Sequence, residues 1–271
     1  MNYLKVVPAL MAFLRSRQMP PFNPRRTHAA ALASLWIFPT LACAAPFKAD
    51  RELFFKECAV LPNYEMNKES TAAVRAGSMR LNARTQTAMN QLFDAWEKFG
   101  DEDKNRLAFV LATARRESMS TFLPIREAPK CLTDEACRER AIGDMLEKRA
   151  KKYGKPLRAN YALPNKEGNR FYGRGFLQLT FEDNYRKTGR RLGIDLVKDP
   201  DKALDPQVAG EVLVRAMLDG WYGSRKPLSF YINGKKIDWI NARNNVNPGS
   251  PNKPITAAYA MDLAKCLRPA S

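Results

Sequence analysis

Residues 172–185 read YGRGFLQLTFEDNY and are the most informative segment of the chain. Two glycines flank Arg174, and because glycine adopts backbone angles that other residues avoid, they permit a tight turn with close backbone approach. Three uncharged residues that can hydrogen-bond follow the turn: Gln178, Thr180 and Asn184. Tyr172 and Tyr185 can pack on the faces of sugar rings or on each other. The segment therefore favours a turn that presents hydrogen-bonding groups to a polyhydroxylated ligand.

Two glutamates precede this segment at a spacing that suits acid–base chemistry. Glu117 lies near the end of a predicted amphipathic helix, residues 102–118, and Glu127 follows ten residues later across a proline-containing loop. Hydrolysis of a glycosidic bond needs two facing carboxyl groups: one protonates the leaving oxygen, and the other, ionised, activates water or stabilises the cationic sugar. A helix end and the loop after it can place such groups on opposite sides of a cleft.

The order of these motifs resembles glycoside hydrolase family 19, the chitinases and related phage-type endolysins of the lysozyme-like superfamily. Residues 116–118 (RES) match the family's H-E-[ST] at a helix end, and Glu127 matches the second glutamate on the next loop. Residues 171–180 (FYGRGFLQLT) match [FY]-x-G-R-G-x-x-Q-L-[ST], and residues 184–185 match the N-Y pair that follows. Residues 242–247 (ARNNVN) are similar to the family's A-R-x-x-[IV]-N-G.

The resemblance implies a mechanism. Glu117 would be the general acid and Glu127 the general base, and because the family inverts the configuration at the sugar, their carboxyl groups would stand roughly 6.5–9.5 Å apart. Thr180 and Gln178 would place the attacking water or the acetamido group, and Arg243 would tune the carboxylates. The positions expected to bind substrate are Tyr172, Arg174, Gln178, Thr180, Asn184, Tyr185, Arg243 and Asn247. No cofactor or metal is implied.

Three positions depart from the family pattern. Arg116 replaces the usual histidine before the first glutamate, Phe176 replaces a common proline, and Pro248 replaces a glycine. The loop around the second glutamate varies in length in such families. Four other acidic residues are therefore kept as alternatives for the base: Glu135, Glu139, Asp144 and Glu167.

The predicted fold is mainly α: a lysozyme-like, two-lobed helical domain with a short β-hairpin and a central substrate cleft. Periodicity predicts helices over 69–98, 102–118, 132–152, 182–192, 206–221 and 252–267, and a hairpin around Asn233-Gly234. Asp101 is the expected N-cap of the second helix. The expected core positions of the first two helices are Ala72, Val74, Leu81, Met89, Leu92, Phe93, Trp96, Leu107, Val110, Leu111 and Ala114.

The N-terminal region has the pattern of a secretory signal peptide. Arg25 and Arg26 precede an apolar run over residues 29–42, and the small residues that follow fit a cleavage site. A buried helix or a membrane anchor is the alternative. The predicted division is a signal peptide at 1–44 (with Met19 as an alternative start), an N-terminal extension at 45–68 and a catalytic domain at 69–271. The protein is therefore expected to be secreted or periplasmic.

Four cysteines follow Cys43: Cys58, Cys131, Cys137 and Cys266. An even number in an exported chain predicts two disulfides, for which three pairings exist. Cys131–Cys137 would close a short loop, and Cys58–Cys266 would then tie the ends of the mature chain together. The spacing matches no zinc motif.

Composition narrows the chemistry further. The formal net charge is +17, and the first 45 residues contain five basic and no acidic residues, which leaves +12 for the rest. Such a charge favours polyanions, among them the bacterial cell wall. The single histidine, His28, lies near the N-terminus, which argues against Ser-His-Asp or Cys-His catalysis and against histidine-ligated zinc. Acid–base catalysis then falls to Asp, Glu, Lys, Tyr or Cys.

Two other functions share part of the pattern. Lytic transglycosylases also have Glu-Ser at a helix end and a later segment similar to residues 175–178, and they leave a 1,6-anhydro product. A non-catalytic cell-wall-binding protein, or a delivered antibacterial toxin, would use the same cleft. The Gly-Arg-Gly turn and residues 184–185 favour family 19.

The expected partner is a polysaccharide, either chitin or peptidoglycan. The charge favours peptidoglycan, and the family name favours chitin. We expect no nucleic-acid partner, no stable membrane insertion and a monomer.

Overall fold

The computed structural model describes residues 44–131, 135–154 and 161–271, all within one compact unit. The predicted signal peptide lies outside these residues except for Ala44. The α-helices of the described part are α1 (Arg51–Glu57), α2 (Ala83–Phe99), α3 (Lys104–Glu117), α4 (Glu135–Tyr153), α5 (Glu182–Leu192), α6 (Pro206–Asp219), α7 (Trp239–Ala242) and α8 (Lys253–Cys266). Its strands form two antiparallel hairpins: β1 (Val60–Met66) with β2 (Ala73–Arg80), and β3 (Ile232–Asn233) with β4 (Lys236–Ile237). The mainly α prediction is confirmed.

The five helices predicted from residue 102 onward agree with the structure to within three residues at each end, and the predicted hairpin around Asn233-Gly234 is formed by β3 and β4. Helix α5 matches its predicted range because its ends carry strong local signals. Two acidic residues occupy its first turn, two arginines occupy its last turn, and Gly193 follows with φ 69°. Left-handed backbone of this kind at a helix end is a glycine position.

The first predicted helix is wrong over residues 69–80. Residues 73–80 form strand β2, which pairs with β1 so that Leu61 lies opposite Met79. The Asn67 side chain accepts hydrogen bonds from the backbone N–H groups of residues 69 and 70, at 2.7 and 3.0 Å. This turn reverses the chain and brings the strands into register. Pairing between distant residues therefore overrides the helical pattern, and only the second half becomes α2.

The predicted core of α2 and α3 is mostly confirmed. Nine of the eleven positions are buried: Leu81 just before α2, and in α2 and α3 Met89, Leu92, Phe93, Trp96, Leu107, Val110, Leu111 and Ala114. Ala72 is exposed and Val74 is half-buried, because both belong to the hairpin segment instead of a helix. Helix α3 is buried on more than its predicted face, since Phe109 and Arg115 are also inaccessible.

Asp103, and not the predicted Asp101, is the N-cap of α3. The Asp103 carboxylate accepts hydrogen bonds from the backbone N–H groups of Asn105 and Arg106. Asp101 lies too early in the chain for this role, and its carboxylate forms an ion pair with the Arg106 guanidinium at 3.0 Å. Asp103 therefore caps the start of α3, and Asp101 stabilises it through the ion pair with Arg106.

Residues 45–68 contribute to the same core as the helices. Phe54 of α1 and Leu61 of β1 are buried in the main cluster. A Cys58–Cys266 disulfide joins the segment after α1 to the end of α8, and Cys131–Cys137 closes the short loop before α4. Of the three possible pairings, this is the one in the structure.

The Gly-Arg-Gly segment is held by three separate buried clusters. Phe171 and Leu179 belong to a cluster with Tyr185, whereas Tyr172 belongs to another with residues of α4. Phe176 is part of the main core built on α2, α3, α6 and α8. Each cluster anchors a different residue of the same turn, so its position relative to the end of α3 is strongly constrained.

Candidate active site

Glu117 is the last residue of α3, and its carboxylate is paired with Arg243. The Arg243 guanidinium donates through Nη2 to Glu117 Oε1. The Arg243 side chain is 4% exposed and that of Glu117 is 21% exposed, so the pair is only partly shielded from water. Arg243 begins the short 3-10 helix after α7. The end of α3 and a distant segment thus meet at a single carboxylate.

Glu127 lies on the following loop and has a different environment. Its Oε2 accepts a hydrogen bond from the backbone N–H of Gly173 at 2.8 Å, and its Oε1 accepts one from the Tyr161 hydroxyl at 3.0 Å. The Glu127 backbone N–H donates to the Gly173 carbonyl at 2.7 Å. Burial raises the pKa of Tyr161, and the charge and hydrogen bond of Glu127 raise it further, so the phenol stays protonated and donates. Tyr161 was not predicted from the sequence.

Gln178 fastens the Gly-Arg-Gly turn to the loop that carries Glu127. Its Nε2 donates to the carbonyl oxygens of Ile125 and Gly175, at 3.1 and 3.0 Å. A Cβ atom on Gly173 would lie 2.6 Å from Gln178 Oε1 and 3.1 Å from Glu127 Oε2. A larger residue at this position would therefore displace the end of the Gln178 side chain, because the side chains of Gln178 and Glu127 converge on Gly173.

Thr180, Asn184 and Asn247 remain accessible at the edges of the site. The Thr180 hydroxyl donates to the Gln178 carbonyl at 2.7 Å, and Asn184 Nδ2 donates to the Thr180 carbonyl at 2.8 Å. Both side chains are half-buried, and Asn247 is exposed. The Asn247 backbone N–H donates to the Arg243 carbonyl at 2.9 Å, which ties Asn247 to the partner of Glu117. These three residues can meet a ligand without rearrangement.

Tyr172, Tyr185 and Arg174 are buried within the Gly-Arg-Gly segment and its surroundings. The tyrosines are 1% and 0% exposed, and Arg174 is 5% exposed, so these side chains pack against the protein itself. The Tyr185 hydroxyl donates to the Tyr172 carbonyl at 2.7 Å, and the Arg174 guanidinium lies 3.9 Å from the centre of the Tyr172 ring. These contacts between buried side chains stabilise the Gly-Arg-Gly turn.

Asp201 is a further residue that sequence reasoning missed. It accepts hydrogen bonds from Arg126, which precedes Glu127, at 2.8 and 2.6 Å, and from Arg174 at 2.7 Å. Burial alone would raise the pKa of Asp201, but the hydrogen bonds and charges of the two arginines outweigh it and lower that pKa. One carboxylate therefore joins the loop of Glu127 to the Gly-Arg-Gly turn.

Backbone strain concentrates around these residues. In the described part of the chain eight non-glycine residues have positive φ, a conformation that is unfavourable for side chains with a Cβ. Six of them flank the two glutamates or the turn: Met119, Ser120, Phe122, Ala128, Gln178 and Phe181. Strain of this kind persists where surrounding contacts over-determine the backbone, and it clusters at functional sites.

The four alternative carboxylates are placed less well for catalysis. Glu139 forms an ion pair with Arg170 at 2.6 Å, and Glu135 lies 3.6 Å from Arg138 within the same helix. Asp144 lines a separate surface cavity on α4, and Glu167 is exposed on a turn. Glu127 accepts a hydrogen bond from the backbone N–H of Gly173 at 2.8 Å, whereas Glu135 accepts one from the Tyr172 hydroxyl at 3.4 Å. The shorter contact to the backbone of the turn favours Glu127 as the second carboxylate.

The described residues contain no group of three or more His, Cys, Asp or Glu side chains arranged to hold a metal ion. They also contain no helix that is long and apolar enough to cross a bilayer.

The middle part of the chain matches a known family model. Residues 98–227 match the family 19 model described as chitinase class I. That range includes Glu117, Glu127 and the Gly-Arg-Gly turn, and it ends before Arg243. The predicted resemblance to glycoside hydrolase family 19 is therefore confirmed over residues 98–227.

Curated plant proteins share part of the sequence. Endochitinase At2g43620 from Arabidopsis thaliana is 31% identical over 168 residues, which cover 58% of this chain and 50% of that protein. Chitinase 4 from Oryza sativa subsp. japonica is 32% identical over 99 residues, which cover 35% of this chain and 33% of that protein. The chain thus spans half or less of the length of these relatives.

A solved structure, chitinase C from Streptomyces griseus HUT6037, overlaps this chain with a TM-score of 0.34 at 19% identity. The overlap covers 72% of this chain and 76% of that structure.

Proposed function

We propose that the protein hydrolyses β-1,4 bonds between N-acetylhexosamine units, with Glu117 as general acid and Glu127 as general base. The observation that carries this proposal is that the end of α3 and the loop after it each hold one carboxylate in place. Glu117 is paired with Arg243 at the helix end, and Glu127 on the loop accepts hydrogen bonds from two neutral donors. A glycosidase needs one carboxyl group to protonate the leaving oxygen and a second to activate water, and the order of the two glutamates in the family pattern supports Glu117 as the acid.

Each group has a defined step in the proposed reaction. Protonated Glu117 gives its proton to the glycosidic oxygen as the bond to the anomeric carbon breaks. Arg243 then compensates the negative charge left on that carboxylate. Ionised Glu127 takes a proton from the water that attacks the opposite face of the sugar. The Thr180 hydroxyl donates its own hydrogen to a carbonyl, so its lone pairs can accept a hydrogen bond from this water.

Chitin is the polymer that the names of the matched relatives support, since both are called chitinases. Peptidoglycan has the same β-1,4 linkage between N-acetylhexosamine units, and the net charge of +12 beyond residue 45 supports it as a second substrate. We also propose that the protein acts outside the cytoplasm as a monomer. The signal-peptide pattern and the two disulfides support export.

The test compares wild-type protein with Glu117→Gln, Glu127→Gln and the control Glu167→Gln. Each is incubated with chitin oligomers and with peptidoglycan sacculi, and the products are identified by mass spectrometry. We expect reducing-end sugars from wild type and the control, and a loss of at least about 100-fold in kcat for the other two variants.

Three outcomes would contradict the proposal. Products with a 1,6-anhydro ring would indicate a lytic transglycosylase. Binding of either polymer without any product would indicate a non-catalytic wall-binding protein. Full activity in Glu127→Gln together with loss in Glu167→Gln would assign the base to the control residue.

A further inference from the structure

The loop that links Glu117 to Glu127 forms one wall of a cavity of about 900 Å³. The other wall comes from β1, the end of β2 and the first turn of α2. The loop residues on the wall include Met119, two positions after the end of α3, and Arg126, directly before Glu127. The cavity is therefore lined by residues close in the chain to both glutamates, and its volume is sufficient for a small ligand.

The charge of this cavity is entirely positive. Three arginines line it, Arg80, Arg84 and Arg126, and none of its lining residues is Asp or Glu. Arg126 is already bound to Asp201 at 2.6 Å. Arg80 at the end of β2 and Arg84 at the start of α2 are exposed. Two guanidinium groups thus stand at the cavity wall and can each take a carboxylate in a bidentate contact.

The buried side chain of Arg115 adds positive charge behind the same cavity wall. Arg115 is 0% exposed and donates at 2.8 Å to the side-chain oxygen of Asn63, which lines the cavity. Its Nε and Nη1 atoms have no hydrogen-bond partner in the described residues. The nearby Asp262 is occupied by the Tyr64 hydroxyl and by Lys265. The charge of Arg115 is therefore not cancelled by a direct ion pair, and it adds to the positive potential of the cavity.

We propose that this cavity binds a carboxylate carried by the glycan, so that the protein prefers an acidic N-acetylhexosamine polymer to a neutral one. The inference rests on the proposed function, because a glycan threaded between Glu117 and Glu127 passes the shared loop. The N-acetylhexosamine polymer that fits is the glycan strand of peptidoglycan, in which every second sugar is muramic acid, and the lactyl group of muramic acid bears a free carboxylate where no peptide is attached to it. Arg80 and Arg84 are the specificity-determining residues.

The test measures binding apart from catalysis. The Glu117→Gln variant is titrated calorimetrically with two tetrasaccharides of equal length: neutral tetra-N-acetylchitotetraose, and the muramic-acid-containing tetrasaccharide with free lactyl carboxylates. We expect the acidic ligand to bind about tenfold more tightly at low salt, and the difference to shrink at high salt. Adding Arg80→Ala and Arg84→Ala should weaken only the acidic ligand, by about three- to tenfold.

A matched control carries Arg190→Ala and Lys235→Ala, which remove the same charge from exposed positions on other elements. This control should keep the preference for the acidic ligand. The charge reversal Arg84→Glu should reduce that preference more than Arg84→Ala does. Equal affinity for the two ligands, or an equal loss in both double variants, would overturn the proposed site.

The experiments distinguish a failure of the proposed carboxylate site from a failure of the proposed hydrolase activity. If wild-type protein cleaves chitotetraose but shows no arginine-dependent preference, the hydrolase stands and the carboxylate site is wrong. If the arginine-dependent preference is found but wild-type protein cleaves neither tetrasaccharide, the site stands and the proposed catalytic function is wrong.

Discussion

Replacing Asp201 with asparagine should weaken both the fold and the proposed catalytic step. The substitution keeps the side-chain shape but removes the negative charge that binds Arg126 and Arg174. Three charge-assisted hydrogen bonds at 2.6 to 2.8 Å lose strength. Because the Asp201 side chain is 50% exposed, solvent screens these contacts, and we expect a loss of about 1–2 kcal/mol in the free energy of unfolding. For a domain of this size that lowers Tm by about 2–8 °C.

Asp201→Asn should also affect activity, because Arg126 and Arg174 both help to position Glu127. Arg126 precedes Glu127, and Arg174 lies inside the Gly-Arg-Gly turn whose backbone N–H binds the Glu127 carboxylate. Loss of their common anchor shifts that carboxylate relative to the end of α3. A displacement well below 1 Å is enough for about a tenfold fall in kcat. KM should change little, because Asp201 is not expected to contact the substrate.

The pH dependence of the stability loss checks its electrostatic origin. The pKa of Asp201 is lowered below 3.8 in the folded protein, so its contribution is present at higher pH and is lost as the pH falls through the folded-state pKa. The Tm difference between wild type and Asp201→Asn should therefore be constant from pH 7 to pH 5, should shrink as the pH falls below about 3.8, and should close below the folded-state pKa.

The control is Asp199→Asn, which removes the same charge two residues earlier from an exposed side chain that makes no capping hydrogen bond. It should leave Tm and kcat unchanged. Equal effects of the two substitutions, or a Tm difference for Asp201→Asn that does not shrink as the pH falls below 3.8, would refute the anchoring role.

Three further changes test other parts of the structure. Arg243→Gln should lower kcat by about 10–100-fold with little change in Tm, since it removes the counter-charge of the proposed acid; unchanged kinetics would contradict that role. Gly173→Ala should lower kcat at least about tenfold, because its Cβ would lie 2.6 Å from a side-chain oxygen, whereas Gly143→Ala meets nothing within 4 Å and should preserve activity. A disulfide that closes a longer loop removes more entropy from the unfolded chain. Replacing the Cys58–Cys266 pair by serines should therefore lower the free energy of unfolding in urea by about 3–5 kcal/mol, and replacing the Cys131–Cys137 pair should lower it by only about 2 kcal/mol. The reverse order would contradict this account.

Local signals explain where the sequence predicts the fold well. Helix α5 is predicted to the residue because its charged ends and Gly193 are adjacent in the chain. The β1–β2 hairpin is missed because strand pairing links residues as far apart as Val60 and Arg80, and the alanine- and arginine-containing segment 73–80 has no strong strand pattern of its own.

Some residues of the candidate site can likewise be predicted from local sequence motifs, and others cannot. Glu117 and Gln178 lie within motifs, so their importance can be inferred from residue order alone. Tyr161 contacts a residue 34 positions away, and Asp201 contacts residues 27 and 75 positions away. No local pattern distinguishes them from other loop residues. The aromatic character of Tyr172 and Tyr185 predicts packing, but only the fold decides that they pack inside the protein instead of against sugar.

The most direct test of the central claim is the configuration of the first sugar released. Wild-type protein is mixed with chitin oligomers in an NMR tube, and the anomeric proton signals are followed before mutarotation equalises them. If Glu127 activates a water across the bond from Glu117, the new reducing end is first seen as the α-anomer, because a single displacement inverts the β-linkage. A β-anomer at the earliest time points would show retention and would contradict the assignment of Glu117 and Glu127 as acid and base.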